Sequence, residues 1–413
     1  MTAEIITIGD ELLIGQVVDT NSSWMAQQLN MIGIPVSRRI AVGDSIPEIL
    51  NAMNESVKRA DVILITGGLG PTSDDVTKKA LCEFFKKELV FHEAAFDNVK
   101  KIFERRKLRM PEMNRKQAEV PENATVMENT RGTAPGLWFD ENGKTIVSMP
   151  GVPFEMYTMM ELSVLPQLKK KFPSQTIFHK TFLTSGIGES ALAEKISEWE
   201  SNLETTLKLA YLPSPGIVKL RLSGRGKDAT ALKKCIDSQL KKLEQIVPDF
   251  FFGYDDDSLQ SVIGEMLKSN KLSVCTAESC TGGSVAKLFT SVPGSSEYFK
   301  GSVVAYSYEA KKEILSVKAA TIENQGAVSQ ATVLEMAQGA LKLFNADCAI
   351  AISGIAGPSG EVPGKPVGTV WIAVSTPERT LSEMFLFGKN RQINIQLSAY
   401  SALNLLRKLL KES

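Results

Sequence analysis

The chain has 413 residues, enough for two to four domains at roughly 100–200 residues each, and its 43% hydrophobic content is ample for packed cores. Lysine plus arginine and aspartate plus glutamate balance at 47 each, which argues against the basic footprint of a protein that binds nucleic acid or an anionic membrane. No apolar run approaches the ~18 residues of a membrane helix, and the acidic start, Met1 to Leu13, lacks the basic region of a signal peptide. A cytoplasmic protein with no membrane contact and no direct nucleic-acid partner is expected. The five cysteines (Cys82, Cys235, Cys275, Cys280, Cys348) are odd in number and lack a framework spacing. Cys275 and Cys280 have no second pair and no nearby histidine, which argues against structural zinc and for reduced, mostly buried thiols.

In chain order, Glu4–Ile8 reads as a strand, Ser22–Ile32 as a helix, Pro35–Val42 as a strand, Ile46–Arg59 as a helix and Val62–Thr66 as a short, wholly apolar strand. A glycine-rich turn leads into a helix over Val76–Phe85. This βαβ rhythm predicts a parallel sheet covered on both faces. Residues 86–120 are charged and helical in character, ending near Pro121, and Gly143–Pro150 reads as a late strand. A methionine-rich helix over Phe154–Leu165 follows the Met149–Pro153 turn, and Pro166 and Pro173 mark a boundary. Thr176–Leu183 and Val218–Leu222 read as strands, Ala229–Ile246 as a helix, and Gly186-Ile187-Gly188-Glu189-Ser190 as the opening of a helix through Trp199. Together they predict a small α+β module. Its glycine pair invites a nucleic-acid reading, but an ordinary strand-to-helix turn accounts for it better. Asp255-Asp256-Asp257 reads as an exposed linker or helix start rather than a metal site. From Ser258 onward, strand candidates are Leu272–Cys275, Gly301–Tyr306, Ala349–Ser353, Thr369–Val374 and Leu381–Phe387. Helices intervene, among them Val285–Phe289 and Thr332–Phe344 behind Ser329, a plausible N-cap.

Two turns of the first region fall at the carboxyl ends of parallel strands, where open α/β sheets bind ligands. Gly9-Asp10-Glu11 follows the first strand, and Thr66-Gly67-Gly68-Leu69-Gly70-Pro71-Thr72 follows the third, with Asp74 and Asp75 at the next helix start. Gly67 and Gly68 let the backbone approach a phosphate, and the helix terminus favours the anion. Asp74 and Asp75 read either as helix caps or as oxygen ligands for a divalent cation such as magnesium. The whole run points to a nucleotide or pterin phosphate site. No GK[ST] follows the glycines, so it is not a P-loop.

The second constellation centres on Thr276-Ala277-Glu278-Ser279-Cys280-Thr281-Gly282-Gly283. A small hydroxyl residue at a glycine-rich strand-to-helix turn suits a nucleophile beside backbone donors, so the N–H groups of Cys280 to Gly283, including Gly282 and Gly283, form the expected oxyanion site. The only histidines are His92 and His179, both far upstream, so the base for Ser279 is expected to be another residue type. Lys311, five residues after Tyr306, can fold back over a strand end and lose its proton if desolvated; alone it would read as a solvated helix lysine. Tyr306 could relay the proton or hold the lysine. Cys280 is the rival nucleophile. Ser353 and Gly354, in Ile352-Ser353-Gly354-Ile355-Ala356-Gly357, offer a hydroxyl and close backbone approach. Arg391, in Gly388-Lys389-Asn390-Arg391, reads as a phosphate or carboxylate clamp or as a surface arginine.

These motifs carry a family resemblance. GDELLIGQVVDTNS, TGGLGPTSDD and MPGVPFEM, then LTSGIGESALAEKI and LPSPGIVKLRL, then TAESCTGG, YSYEAK, SGIAGPSG and VGTVWIAV resemble, in that order, full-length proteins of the CinA family. The resemblance implies an α/β protein. A three-layer α/β molybdopterin-binding-like domain covers residues 1–170, a KH-like α+β module 171–254 and an α/β CinA domain 255–413. It implies a nicotinamide-nucleotide amidase that converts nicotinamide mononucleotide to nicotinate mononucleotide and ammonia. Ser279 is then the nucleophile, Lys311 its base, Tyr306 the assisting tyrosine and Arg391 a substrate arginine, with no cofactor at that site. Ser353 stands where many members have threonine, and GKNR has one residue more than the commoner G-D-R form. For the first domain the resemblance implies a metal-dependent ADP-ribose pyrophosphatase, with Asp10, Glu11, Gly67, Gly68, Asp74, Asp75 and Glu155 as site residues. It also implies a homodimer. Rival readings are a protein in which only the first domain is catalytic, and a non-enzymatic binding protein tied to competence or DNA repair.

Overall fold

The computed structural model describes residues 1–105, 107–172, 176–226 and 228–411. They form two compact units, Met1–Phe178 with Arg225–Ala229, and His179–Gly224 with Thr230–Ser413.

The first unit is built on strands β1 (Ala3–Ile8), β2 (Val36–Val42), β3 (Val62–Thr66), β4 (Leu89–Phe91), β5 (Glu119–Pro121), β6 (Thr125–Met127), β7 (Gly136–Glu141) and β8 (Lys144–Met149). Six make one sheet in the order β2-β1-β3-β8-β7-β6, parallel through β8 and antiparallel beyond it. The alternation of side chains divides its apolar residues between two cores. Ala3, Ile5, Val62, Leu64, Val147 and Met149 pack with Met25 and Leu29 and with Met156, Met159 and Met160. Ile6, Ile8, Ile63, Ile65 and Ile146 pack with Ile49 and Met53 and with Ala80 and Leu81. The expected three layers follow, because the central strands are buried on both sides.

Three local expectations are corrected. Residues 86–120 are not helical throughout: helix Glu93–Arg105 and a shorter turn lie between β4 and β5, which pair antiparallel. β6 and β7 went unpredicted, although Asn142-Gly143 links β7 to β8 with φ of 51° and 75°, the positive values of a two-residue hairpin turn. Pro166 marks no boundary. The chain is helical over Pro153–Met159, forms a π-helical turn over Met160–Val164 and continues over Leu165–Lys171, with Pro166 in the first turn of that last segment. A π turn already departs from the regular bonding ladder, so the missing proline N–H is tolerated there. Pro173 lies outside the described residues.

Two further sheets lie largely within the second unit. Strands β9 (Thr176–Ser185), β10 (Leu207–Ser214), β11 (Ile217–Gly226) and β12 (Phe251–Tyr254) lie in the order β10-β11-β9-β12, with helices Glu189–Ser201 and Ala229–Ile246. β10 also went unpredicted; it turns into β11 through Pro215-Gly216, where Gly216 has φ 81°. The acidic triplet closes a turn: Asp255 accepts from Thr181 N–H and Asp257 from Tyr254 N–H. The other sheet comprises β13 (Val274–Glu278), β14 (Phe299–Val304), β15 (Cys348–Gly354), β16 (Thr369–Ser375) and β17 (Thr380–Leu386), in the order β14-β13-β15-β16-β17. β14, β13 and β15 are parallel and the other two antiparallel. One face, bearing Val274, Ile350, Ile352 and Ile372, packs on helices Leu259–Ser269 and Arg391–Lys411. The other carries Cys275, Ala277, Ala349, Ala351 and Ala373 against Met336, Ala337 and Ala340 of helix Gln330–Phe344, small residues that let that helix lie close. Ser329 caps it as expected, accepting from Thr332 N–H. Among the described residues no helix is long and apolar enough to cross a membrane.

Candidate active sites

In the second unit, β13 delivers Ser279 directly after its last residue, and Ser279 N–H donates to Ile352 O of β15 at 3.0 Å. Gly282 and Gly283 then adopt φ of 61° and 94°, turning the chain into helix Ser284–Thr290. Glu278, wholly buried, caps that helix: its carboxylate accepts from the N–H groups of Gly283, Val285 and Ala286 at 3.0, 3.2 and 2.8 Å. Gly282 N–H donates to Ser279 O. The expected row of oxyanion donors is therefore shorter than its sequence suggests. The glycine N–H groups are engaged, and those of Cys280 and Thr281 make no hydrogen bond among the described residues.

β14 ends at Val304, before Tyr306, and Ser307 caps helix Tyr308–Glu313 by accepting from Ala310 N–H. That short helix turns Lys311 inward. Its side chain is 1% exposed, and Nζ donates to Ser279 Oγ at 3.0 Å, to Ala305 O at 2.7 Å and to Tyr306 O at 3.5 Å. Burial holds the Lys311 pKa below the ordinary lysine value. No carboxylate lies in this set of partners; the neighbouring Cys280 would favour the charged lysine only as a thiolate. The same burial acts oppositely on Cys280: its thiol, 6% exposed, is pushed up to about 12, which leaves almost no thiolate at neutral pH.

Tyr306 meets Lys311 through its carbonyl, not its hydroxyl. The exposed phenol accepts instead from Arg391 Nη2 at 2.9 Å, while Arg391 Nη1 donates to Gly357 O at 2.9 Å. Arg391 thus spans the 306 and 357 segments. It is set at the start of its helix by Asn390, whose side chain accepts from the N–H groups of Gln392 and Ile393. Ser353 is buried, and its Oγ donates to Ala327 O at 2.6 Å. Gly354 is needed for packing: a Cβ there would lie 2.6 Å from Val370 Cγ2. Asn394, passed over in the sequence, and the side chain of Thr281, whose backbone alone was considered there, belong to this neighbourhood. Asn394, wholly buried, donates to Ala356 O and Gly388 O and so ties two of the loops. Thr281 Oγ1, in a residue 2% exposed, has no hydrogen-bond partner among the described residues. A polar side chain on the inward stripe of a helix was the available signal for Asn394.

In the first unit, the strand ends of β1, β2 and β3 surround a cavity of about 350 Å³ lined by Glu11, Asp44, Asp74, Asp75 and Glu155 and by no basic side chain. Gly67 and Gly68 also line it. A Cβ on Gly67 would lie 2.2 Å from Ile8 O, and one on Gly68 2.2 Å from Thr77 Oγ1. Asp75 spends its carboxylate on the loop, accepting from Gly70 N–H and Thr72 N–H at 2.8 and 2.9 Å. Glu155 accepts from Asn129 Nδ2 at 2.7 Å, and Gly132 leaves the room its carboxylate occupies. Asp10 does not line the cavity; it exchanges two hydrogen bonds with Asp44, N–H to Oδ2 at 3.0 Å and Oδ1 from N–H at 3.2 Å. Asp44 was missed in the sequence, although Gly43-Asp44 after β2 repeats the Gly9-Asp10 pattern after β1. Burial, with the charges of Asp10, Glu11 and Asp74 adding, raises the Asp44 pKa. This all-oxygen set of mutually repelling carboxylates fits a hard divalent cation. Among the described residues, no three acidic, cysteine or histidine side chains are grouped closely enough to hold a metal alone.

Comparison with known proteins divides the chain into three parts. Residues 4–170 match the family described as "Probable molybdopterin binding domain", residues 179–253 the "Damage-inducible protein CinA KH domain", and residues 256–410 the "CinA C-terminal domain". A CinA-like protein of Cytophaga hutchinsonii is 44% identical over 410 residues, covering 99% of this chain and 98% of its own, and one from Flavobacterium psychrophilum is 45% identical over the same length and shares. Among solved structures, the competence damage-inducible protein A of Klebsiella pneumoniae is 37% identical, covering 37% of this chain and 94% of its own, with a TM-score of 0.36.

Proposed function

The chain belongs to the CinA family, some of whose relatives carry competence-damage inducible names, and from that premise we propose that its C-terminal domain is an amidohydrolase that releases ammonia from nicotinamide mononucleotide. One observation carries the reading: a buried lysine with no carboxylate partner stands 3.0 Å from the hydroxyl of Ser279 at a strand-to-helix turn.

The chemistry balances. Neutral Lys311 takes the Ser279 hydroxyl proton as Oγ bonds to the carboxamide carbon. The oxyanion draws on the Cys280 and Thr281 N–H groups. When the carbon–nitrogen bond breaks, Lys311 returns the proton to the leaving nitrogen, and ammonia departs. Water then attacks the acyl-serine, Lys311 takes its proton, and the proton passes to Ser279 Oγ as nicotinate mononucleotide leaves. Arg391, with two of its donors already placed by Gly357 and Tyr306, orients the substrate phosphate. Ser353 acts through the Ala327 segment rather than on the amide. No step is routed through a metal.

For the N-terminal domain we propose hydrolysis of ADP-ribose. Glu11, Asp44 and Asp74 line the cavity but are not grouped closely enough to hold a divalent cation by themselves; they would favour one that enters with the diphosphate, and that cation would neutralise the diphosphate charge. Asp75 and Glu155 shape the cavity, and Asp10 positions Asp44. A cytoplasmic location and a homodimer belong to the same proposal, as does the absence of direct nucleic-acid binding.

The test is an assay of the purified chain for ammonia release from nicotinamide mononucleotide and for ADP-ribose cleavage, with and without chelator. Ammonia release should survive chelation and fall by ~10³-fold or more in Ser279→Ala; ADP-ribose cleavage should survive Ser279→Ala and stop with chelator. Full ammonia release by a folded Ser279→Ala protein removes the serine mechanism.

A further inference from the structure

A second cavity in the His179–Ser413 part of the chain takes no part in the amide chemistry. It has a volume of about 440 Å³, the size of a small-ligand site. The turn 185–189 forms one wall and the β10–β11 turn another. The third is a stripe of helix Arg391–Lys411, where Leu397, Ser401, Asn404 and Lys408 recur at helical spacing. Both glycine turns close onto that helix. A Cβ on Gly186 would lie 2.5 Å from Asn404 Nδ2, and one on Gly216 2.9 Å from Tyr400 Cβ.

The cavity is rich in hydrogen-bond donors. Helix Glu189–Ser201, 13 residues long, begins here behind Gly188 with no side-chain cap, so its first N–H groups lack a side-chain acceptor. Asn404 is 6% exposed. Arg407 fixes its amide by donating to Oδ1 from Nε and Nη2 at 3.0 and 2.9 Å, which turns Nδ2 toward the Gly186 turn. Nδ2 donates to no described residue, so a donor in a nine-tenths buried side chain is left facing the cavity. Lys408 has no carboxylate partner among the described residues; its ammonium stands over the Phe250 ring at 5.9 Å. The cavity's two acids, Glu189 and Glu383, are both exposed and belong to its rim. Ile187, Pro213, Ile217 and Phe385 supply an apolar wall.

We propose that this cavity binds a small organic oxyanion, a phosphomonoester or carboxylate with an apolar body, its charged head held by the Glu189 helix terminus, Asn404 and Lys408. The site is independent of Ser279 and Lys311.

Calorimetric titration of the full chain with phenyl phosphate and with phenylacetate tests this, with inorganic phosphate and phenol as the separated head and body. Asn404→Asp keeps an acceptor for Arg407, adds a counter-charge to it and removes the donor, so the fold should hold while oxyanion binding weakens. Lys408→Glu and Gly188→Val make two further variants. Gly188 has φ −79° and a Cβ there meets nothing within 4 Å, so valine fits the backbone and takes up cavity space. At least one of the two organic anions should bind more tightly than either fragment, and each variant should weaken it by about tenfold or more with the thermal transition retained. Preference for phenyl phosphate or for phenylacetate identifies the head group. The proposal is overturned if neither anion binds, if the folded variants bind as the native chain does, or if inorganic phosphate binds as tightly as phenyl phosphate and phenylacetate does not bind.

Discussion

Each unit of this protein sets a lysine against backbone carbonyls, Lys78 half-buried and Lys311 buried, and the two differ by a single partner. Lys78 Nζ donates to the carbonyls of Lys116, Gln117 and Glu119 at 3.0, 3.3 and 3.0 Å. Lys311 Nζ donates to Ala305 O, Tyr306 O and Ser279 Oγ. Burial lowers both, Lys78 to about 8. Desolvation by itself therefore does not mark a catalytic lysine. The carbonyls around Lys78 have no proton to give, so that lysine joins segments of the first unit. Replacing one carbonyl by a hydroxyl gives Lys311 something to deprotonate.

Substitution of the two lysines tests that contrast most severely. Lys311→Met should reduce kcat for ammonia release by ~10²–10⁴-fold, the range for loss of a general base. Lys78→Met should leave it unchanged, read in the same assay. Equal losses in the two variants would mean that the Ser279 contact is incidental. The pH profile sharpens the comparison. Lys311 serves as base only when neutral, so kcat/KM should rise as pH rises through its lowered pKa and level off below the ordinary lysine value of about 10.4. An acid limb at or above that value would place the base elsewhere. Next in size is a stability effect. Glu278→Ala leaves three N–H groups at the start of helix Ser284–Thr290 without their acceptor, at about 1–3 kcal/mol for each that water cannot reach. Denaturant unfolding should show a lower midpoint, with Ser279 less well placed. The smallest effect belongs to Cys280→Ala. With the thiol pushed up to about 12, activity should stay within about threefold of the native level, since a thiolate is the reactive form; loss comparable to that of Ser279→Ala would reverse the choice of nucleophile.

The two sites were unequally legible in the sequence. The Ser279 turn was readable because a strand, a hydroxyl residue and two glycines are adjacent in the chain, and Gly282 and Gly283 do take positive φ. Lys311 was readable only as a residue able to fold back over a strand end; its burial and its 3.0 Å contact with Ser279 depend on how β13 and β14 pair. Tyr306 lies close by with a different contact, its phenol on Arg391 and its carbonyl on Lys311. In the first unit, Asp75 and Asp44 exchanged expected importance. Both line the cavity, but Asp75, in a conspicuous acidic pair, spends its carboxylate on its own loop, whereas Asp44, alone after β2, is the carboxylate the sequence did not offer.

By itself the sequence determined the two α/β sheets, the small module between them and the turns at which chemistry is placed. Apolar alternation, glycine and helix caps act over a few residues and are written in chain order. Tertiary structure alone decided which N–H groups remain free at Ser279, which hydroxyl the lysine meets, which of the cavity's carboxylates are spent on their own loop, and that Asn404 turns a donor into a second cavity. Each of these depends on partners brought from distant segments, and burial, which sets the protonation of Lys311 and Cys280, exists only once those segments have packed.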